Sequence, residues 1–175
     1  MSSQMELRKK NLTKWLTVVA MLMAMNVVMS SFSIPVPGGH LYLNDAVICT
    51  AAILLDPLGA FVVGGIGAFL GDLLFYPTPM FVSLVTHGLQ AVVISLCVQK
   101  LFAKRHTGAL VGVILGVIIN VVGYSLGRAF IYSTPEYSLL KLPFQIFQAV
   151  FGAVVSMLLC FSGNLLNFWD KFSKR

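Results

Sequence analysis

The chain has 175 residues, of which 58% are hydrophobic and only 10% charged, and its mean hydropathy is +0.89; soluble domains are near a quarter charged. Charges are almost absent between Leu16 and Val98 and again between Thr107 and Phe168, which excludes a water-soluble globular domain and identifies an integral membrane protein. The runs are long, continuous and rich in Ala, Gly and Met, so an outer-membrane barrel with short alternating strands is excluded too, and the expected fold class is all-α, one membrane domain.

The net charge of +6 does not point to nucleic acid. The bases sit in short clusters, Arg8/Lys9/Lys10/Lys14, Lys100/Lys104/Arg105 and Lys171/Lys174/Arg175, each flanking an apolar segment, as topology signals and lipid-headgroup contacts do.

In chain order, a first helix is predicted over 12–32. It is expected to be retained rather than cleaved as a signal peptide, because it is long and lacks a small-x-small site before Pro35. It carries Ala20 and Ala24 as AxxxA, a spacing that lets another backbone approach; internal packing and a partner surface both fit. The Pro35-Val-Pro37-Gly38-Gly39 stretch reads as a loop. A second helix, 43–55, is short for a full span and ends at Asp56-Pro57. The third, 58–75, carries Ala60, Gly64, Gly65, Gly67, Ala68 and Gly71, read first as internal packing. The fourth covers 80–102, the fifth 109–132 and the sixth 140–166, with a polar loop Ser133-Thr134-Pro135-Glu136-Tyr137 between the last two. Six spans put both termini on one side. The base clusters make that side cytoplasmic, since the opposite loops carry only Lys141, with Arg128 inside the fifth helix.

Polar residues at membrane depth mark a candidate site, because such groups turn toward a bundle interior or a watery cavity. Asn120, Tyr124 and Arg128 are spaced i, i+4, i+8 and form one stripe; His87 and Gln90 share a face of the fourth helix, and Gln145 and Gln148 a face of the sixth. Together they predict a polar pocket in the outer half of helices four to six. His40, Tyr42, Asn44 and Asp45 around the first loop, and Phe75, Tyr76 and Phe81 around the second, add aromatic and polar walls; for Tyr76 and Tyr132 an interfacial aromatic belt is the alternative. Asp72 and Arg128 lie at similar estimated depths and are expected either to pair with each other or to meet a ligand or gate a loop. His87 reads as an interhelical hydrogen-bonder rather than a catalytic base.

No cluster has metal-ligand spacing, Cys49, Cys97 and Cys160 are isolated, and there is neither a nucleophile motif nor a GxxxxGK[ST] phosphate loop. A non-catalytic chain without a cofactor of its own is expected, and uphill transport would need an outside energy source.

The runs His40-Leu-Tyr-Leu-Asn44-Asp45-Ala, Leu55-Asp56-Pro57-Leu-Gly59-Ala60 and Gly64-Gly-Ile-Gly-Ala-Phe-Leu-Gly71-Asp72-Leu resemble the substrate-binding S components of energy-coupling factor (ECF) vitamin transporters. The resemblance covers essentially the whole chain and is most specific from Asn44 to Leu73. It implies a six-helix bundle with both termini cytoplasmic, in the bacterial cell membrane, and a high-affinity vitamin pocket open to the outside. It also implies partners, a transmembrane T component and two ABC ATPases that supply ATP and Mg chemistry, with Ala20 and Ala24 as the T-component interface. Within the family the chain looks most like the hydroxymethylpyrimidine and pyridoxine group. Its only tryptophans, Trp15 and Trp169, lie at the cytoplasmic ends, unlike the tryptophan-rich outer segment of thiamine-type members. The expected substrate-binding residues are Asn44, His87, Gln90, Asn120, Tyr124, Arg128, Gln145 and Gln148, with Asp72 structural or gating. Riboflavin, pantothenate and a queuosine precursor are the alternative ligands. A self-sufficient permease, relaying protons through Asp72, His87 and Arg128, and a small membrane enzyme or assembly subunit are the competing classes.

Overall fold

A computed structural model describes residues 3–36 and 39–174. Pro37 and Gly38, part of the expected first loop, and Arg175 of the last basic cluster lie outside the described residues. The elements are α1 (Ser3–Lys10), α2 (Leu12–Ser31), β1 (Ser33–Val36), β2 (Gly39–Tyr42), α3 (Asn44–Leu54), α4 (Pro57–Phe75), α5 (Met80–Leu101), α6 (Arg105–Tyr132), α7 (Pro135–Ser162) and α8 (Leu165–Lys174).

Among the described residues, five helices, α2 and α4 to α7, are long and apolar enough to cross a membrane. At 11 residues α3 reaches only about 16 Å at 1.5 Å per residue. It is buried along nearly its whole length, so it needs no lipid-facing surface. Its first residue lies near the end of α2, where Asn44 Nδ2 donates to Ser30 Oγ at 3.3 Å. The residue just past its other end, Asp56, meets the start of α2, accepting from Trp15 Nε1 at 2.7 Å. It therefore runs antiparallel to α2 through the middle of the bundle.

Several expectations are corrected here. The fold is not purely helical: β1 and β2 form an antiparallel hairpin with Ile34 opposite Leu41 and Pro35 opposite His40. Pro35 reads as a loop residue, but a two-stranded ribbon has only edges, where proline is tolerated. The polar loop before the last span is largely helix. Pro135 occupies its first turn, and the Thr134 side chain accepts from Tyr137 N at 3.3 Å, the N-terminal arrangement in which proline's missing N–H is no loss. Glu136, Tyr137 and Lys141 are thus held on helical turns. The fifth span begins at Arg105, and the chain ends in an extra helix, α8, entered through Asn164 at φ 54°, a left-handed conformation that Asn tolerates.

Small residues set the helix spacing. A Cβ at Gly64 would lie 2.9 Å from His87 O, and one at Gly67 2.7 Å from Asn26 Nδ2. The small-residue face of α4 is therefore consumed by α5 and α2, as internal packing requires. By contrast, Ala20 and Ala24 both point away from the bundle.

At the end opposite the hairpin, buried Asp56 accepts from Arg8 Nη1 and from Trp15 Nε1, each at 2.7 Å. Arg105 donates to both oxygens of Asp170 at 2.9 and 3.2 Å. These contacts fasten α1 and α8 to the bundle. Cys49, Cys97 and Cys160 are free and buried.

Candidate substrate-binding site

At the hairpin end, a cavity of about 40 Å³ has room for a few waters. The bundle supplies Asn44, Asp72, His87, Tyr124, Arg128, Gln145 and Gln148 to its wall, and the rim is His40, Tyr42, Tyr76, Pro79, Tyr132, Tyr137 and Lys141.

The stripe expected on the fifth span is where its spacing predicts: Asn120 is fully buried, and Tyr124 and Arg128 line the cavity. His87, Asn44, Gln145 and Gln148 line it too. Gln90 and Asn120 do not. They stand behind the wall, where their amides are used internally.

At the centre of that inner layer is Asp45, which is 1% exposed. Its Oδ1 accepts from Asn120 Nδ2 at 2.9 Å and from Gln90 Nε2 at 3.4 Å, and its Oδ2 accepts from Gln148 Nε2 at 2.7 Å. His87 Nδ1 lies 3.7 Å from Oδ1 and 2.8 Å from Gln90 Oε1. Asp45 lies in the first turn of α3, where a carboxylate also meets the favourable end of the helix dipole. The sequence puts it at the head of the second helix, beside the first loop and the pocket, but does not show its role as hub. The signal available was an acid directly following Asn44 at the head of an otherwise apolar helix.

Asp72 and Arg128 do not pair. Ser83 Oγ donates to Asp72 Oδ2, and because a hydroxyl has one proton, Tyr124 OH must be the donor in its 2.6 Å contact with Ser83 Oγ. Arg128 Nη2 instead donates to Gln145 Oε1 at 2.5 Å, and Gln145 Nε2 donates to Asn120 Oδ1 at 2.6 Å. Two amides thus join the Arg128 guanidinium to the Asp45 carboxylate. The reason is placement: Asp72 is drawn to the Ser83 hydroxyl of α5, while Gln145 of α7 reaches Arg128 first.

Two buried polar atoms of the wall have no hydrogen-bond partner, Arg128 Nη1 and Asn44 Oδ1. The Tyr132 side chain interacts with Arg128 without supplying an acceptor to Nη1. One donor and one acceptor on residues that line the cavity are therefore both desolvated and unpaired, a costly arrangement unless something satisfies them.

Rings and the hairpin close the top. His87 meets Tyr124 edge-on with ring centres 5.3 Å apart, and His40 meets Tyr76 at 6.5 Å. Tyr42 N donates to Gln148 Oε1 at 2.9 Å and Lys141 Nζ to His40 O at 2.8 Å. Burial, with the nearby Asp72 charge, pushes the Tyr42 phenol up to about 12, so this rim group stays neutral and a donor at physiological pH. Tyr132, Tyr137 and Lys141 were not among the expected site residues; helical spacing from Arg128 and Gln145 is the signal that places them on the rim.

A protein of Pyrococcus woesei described as an uncharacterized protein in the gap 3′ region is 32% identical over 127 residues, covering 70% of this chain and 82% of that protein. Residues 10–164 match the sequence model of the family described as ECF-type riboflavin transporter, S component. With its apolar spans, its interior polar pocket and that match over most of its length, the chain belongs to the ECF-type riboflavin transporter S-component family, membrane-embedded, non-catalytic substrate-binding subunits that act with a T component and ATPases.

Proposed function

We propose that this chain captures a small hydroxylated heteroaromatic vitamin, pyridoxine or hydroxymethylpyrimidine, in the cavity at its hairpin end. It would deliver it inward as part of an ATP-driven importer with a T component and two ATPases. The observation that carries this reading is the pair of unsatisfied, buried wall atoms, Arg128 Nη1 and Asn44 Oδ1. A ring with an oxygen acceptor and a nearby donor satisfies both, while His87, Tyr124 and Tyr76 offer aromatic faces and edges. Asp72 belongs to the wall through Ser83 and Tyr124.

The small volume favours a single ring, which requires the least displacement of Tyr76, Tyr132 and the hairpin. Riboflavin is the second reading, favoured by the description of the matching family; its three fused rings need wider opening. Six crossings with both termini cytoplasmic fit the path of α3 between the two ends of the bundle and the base clusters around Arg8, Lys104 and Lys171. The outward face of α2 at Ala20 and Ala24 is the proposed T-component interface, in the cytoplasmic membrane.

The test is uptake of labelled pyridoxine, hydroxymethylpyrimidine and riboflavin into proteoliposomes, with the chain alone and with T component, ATPases and ATP-Mg. The reading predicts binding by the chain alone and uptake only with the full set. Uptake by the chain alone, following the proton gradient, would make it a permease instead.

A further inference from the structure

Two chains of hydrogen bonds leave Asp45 in opposite directions, and we propose that Asp45 is a positioning residue that ties the guanidinium facing the cavity to the hairpin that closes it. This rests on the binding role proposed above. A carboxylate can only accept hydrogen bonds. Asn120 must therefore turn Nδ2 toward Asp45, which leaves its Oδ1 to accept from Gln145 Nε2 and Gln145 Oε1 to accept from Arg128 Nη2. A guanidinium can only donate. The chain thus has an acceptor-only group at one end and a donor-only group at the other, and neither amide can turn over without setting like against like.

The second chain obeys the same logic. Gln148 turns Nε2 to the other oxygen of Asp45 and so presents Oε1 to the backbone N–H of Tyr42, at 2.9 Å. That N–H is contributed by the hairpin. Asp45, Asn120, Gln145 and Gln148 are all at most 5% exposed, so solvent is not at hand to rescue a mismatched amide. One carboxylate therefore sets both the direction in which Nη1 of Arg128 is left free and the acceptor that seats the hairpin.

The experiment uses the full chain in detergent with a Leu41→Cys reporter. Leu41, in strand β2 of the hairpin, is 7% exposed, and the three native cysteines are at most 1% exposed, so a polar maleimide reads hairpin opening at the reporter. Asp45→Asn replaces one acceptor with a donor and leaves a donor facing Gln148 or Asn120. Asp45→Asn and Gln148→Ala are each expected to raise the modification rate by about tenfold, the scale of one unsatisfied buried group, whereas Gln145→Ala stays near the parent rate. Adding Gln148→Glu to Asp45→Asn restores the polarity, since the introduced carboxamide donates to the introduced carboxylate, which still accepts from Tyr42 N–H. The rate should then fall back toward the parent.

Pyridoxine titrations of the same variants should show weakened binding for Asp45→Asn and Gln145→Ala. An Asp45→Asn rate equal to the parent's, or a double variant as reactive as the single, would overturn the proposal. If Asp45→Asn does not fold, Gln148→Glu alone sets two carboxylates face to face and must also raise the rate; an unchanged rate overturns the proposal equally. A parent chain that binds no vitamin yet shows the full reactivity pattern removes the binding role and keeps the positioning one.

Discussion

Arg128 is a cation with 2% of its surface exposed, held by a neutral amide, Gln145, and joined to its counter-charge only through that amide and one more, Asn120. Removing its charge should weaken the site without emptying the bundle of its packing. Arg128→Gln is predicted to lower pyridoxine affinity by about 1.5–3 kcal/mol, the range for a hydrogen bond to a charged group, with helical content unchanged by circular dichroism. An unaltered dissociation constant would mean that Nη1 does not meet the ligand. Asp56, the other buried acid with bonds across elements, has a structural role at the opposite end. Asp56→Ala leaves the Trp15 N–H without its acceptor and should lower stability by about 1–3 kcal/mol, read as a lower melting midpoint in detergent with altered Trp fluorescence. The i, i+4, i+8 stripe on the fifth span was legible because helical periodicity alone decides which residues share a face. Asp45 was not, because its partners Asn120 and Gln148 lie more than 70 residues away in the chain and no local pattern reports them.

At the scale of elements, close approach governs the site. A Cβ on Gly152 of α7 would stand 2.5 Å from Asp45 Cβ, closer than two carbons can pack, so Gly152 is what lets α7 lie against the head of α3. Gly152→Ala is predicted to cost about 1–3 kcal/mol of stability through overpacking and to weaken vitamin binding by moving Asp45. Thermal midpoint and titration together check it, and a variant with both unchanged would show that α3 and α7 have slack. The glycines of α6 work in the same way: Cβ atoms on Gly108, Gly116 and Gly127 would lie 2.6 Å from Cys97 O, 2.8 Å from Ile94 Cδ1 and 2.6 Å from Val82 Cγ1. This ridge against α5 is plain in the sequence spacing, yet the small residues of helices one and three drew the reading. The hairpin escaped because Ser33–Val36 contains a proline and the segment is too short for alternation to speak. The early start of α7 escaped because Pro135 reads equally as a loop or as a first helical turn.

For the whole molecule, the exterior is a belt of exposed apolar side chains such as Met21, Leu74, Val85, Phe130 and Phe147, while polar groups are buried inside, the largest cluster around Asp45 at the hairpin end, the inverse of a soluble domain and the expected arrangement in lipid. Within that belt the Ala20/Ala24 face of α2 stands out as small and uncovered. Ala20→Trp or Ala24→Trp is predicted to abolish assembly with the T component and uptake while leaving the affinity of the solitary chain for its vitamin unchanged. Lost binding with intact assembly would remove that face from the coupling role. If the chain is by itself a vitamin receptor, as proposed, it co-purifies with its ligand: mass spectrometry of small molecules released from the detergent-purified chain identifies the compound, and titration shows whether it rebinds. A stoichiometric single-ring pyridine or pyrimidine compound that rebinds saturably to the parent and weakly to Arg128→Gln is the predicted result. An empty chain that binds neither pyridoxine, hydroxymethylpyrimidine nor riboflavin would contradict it.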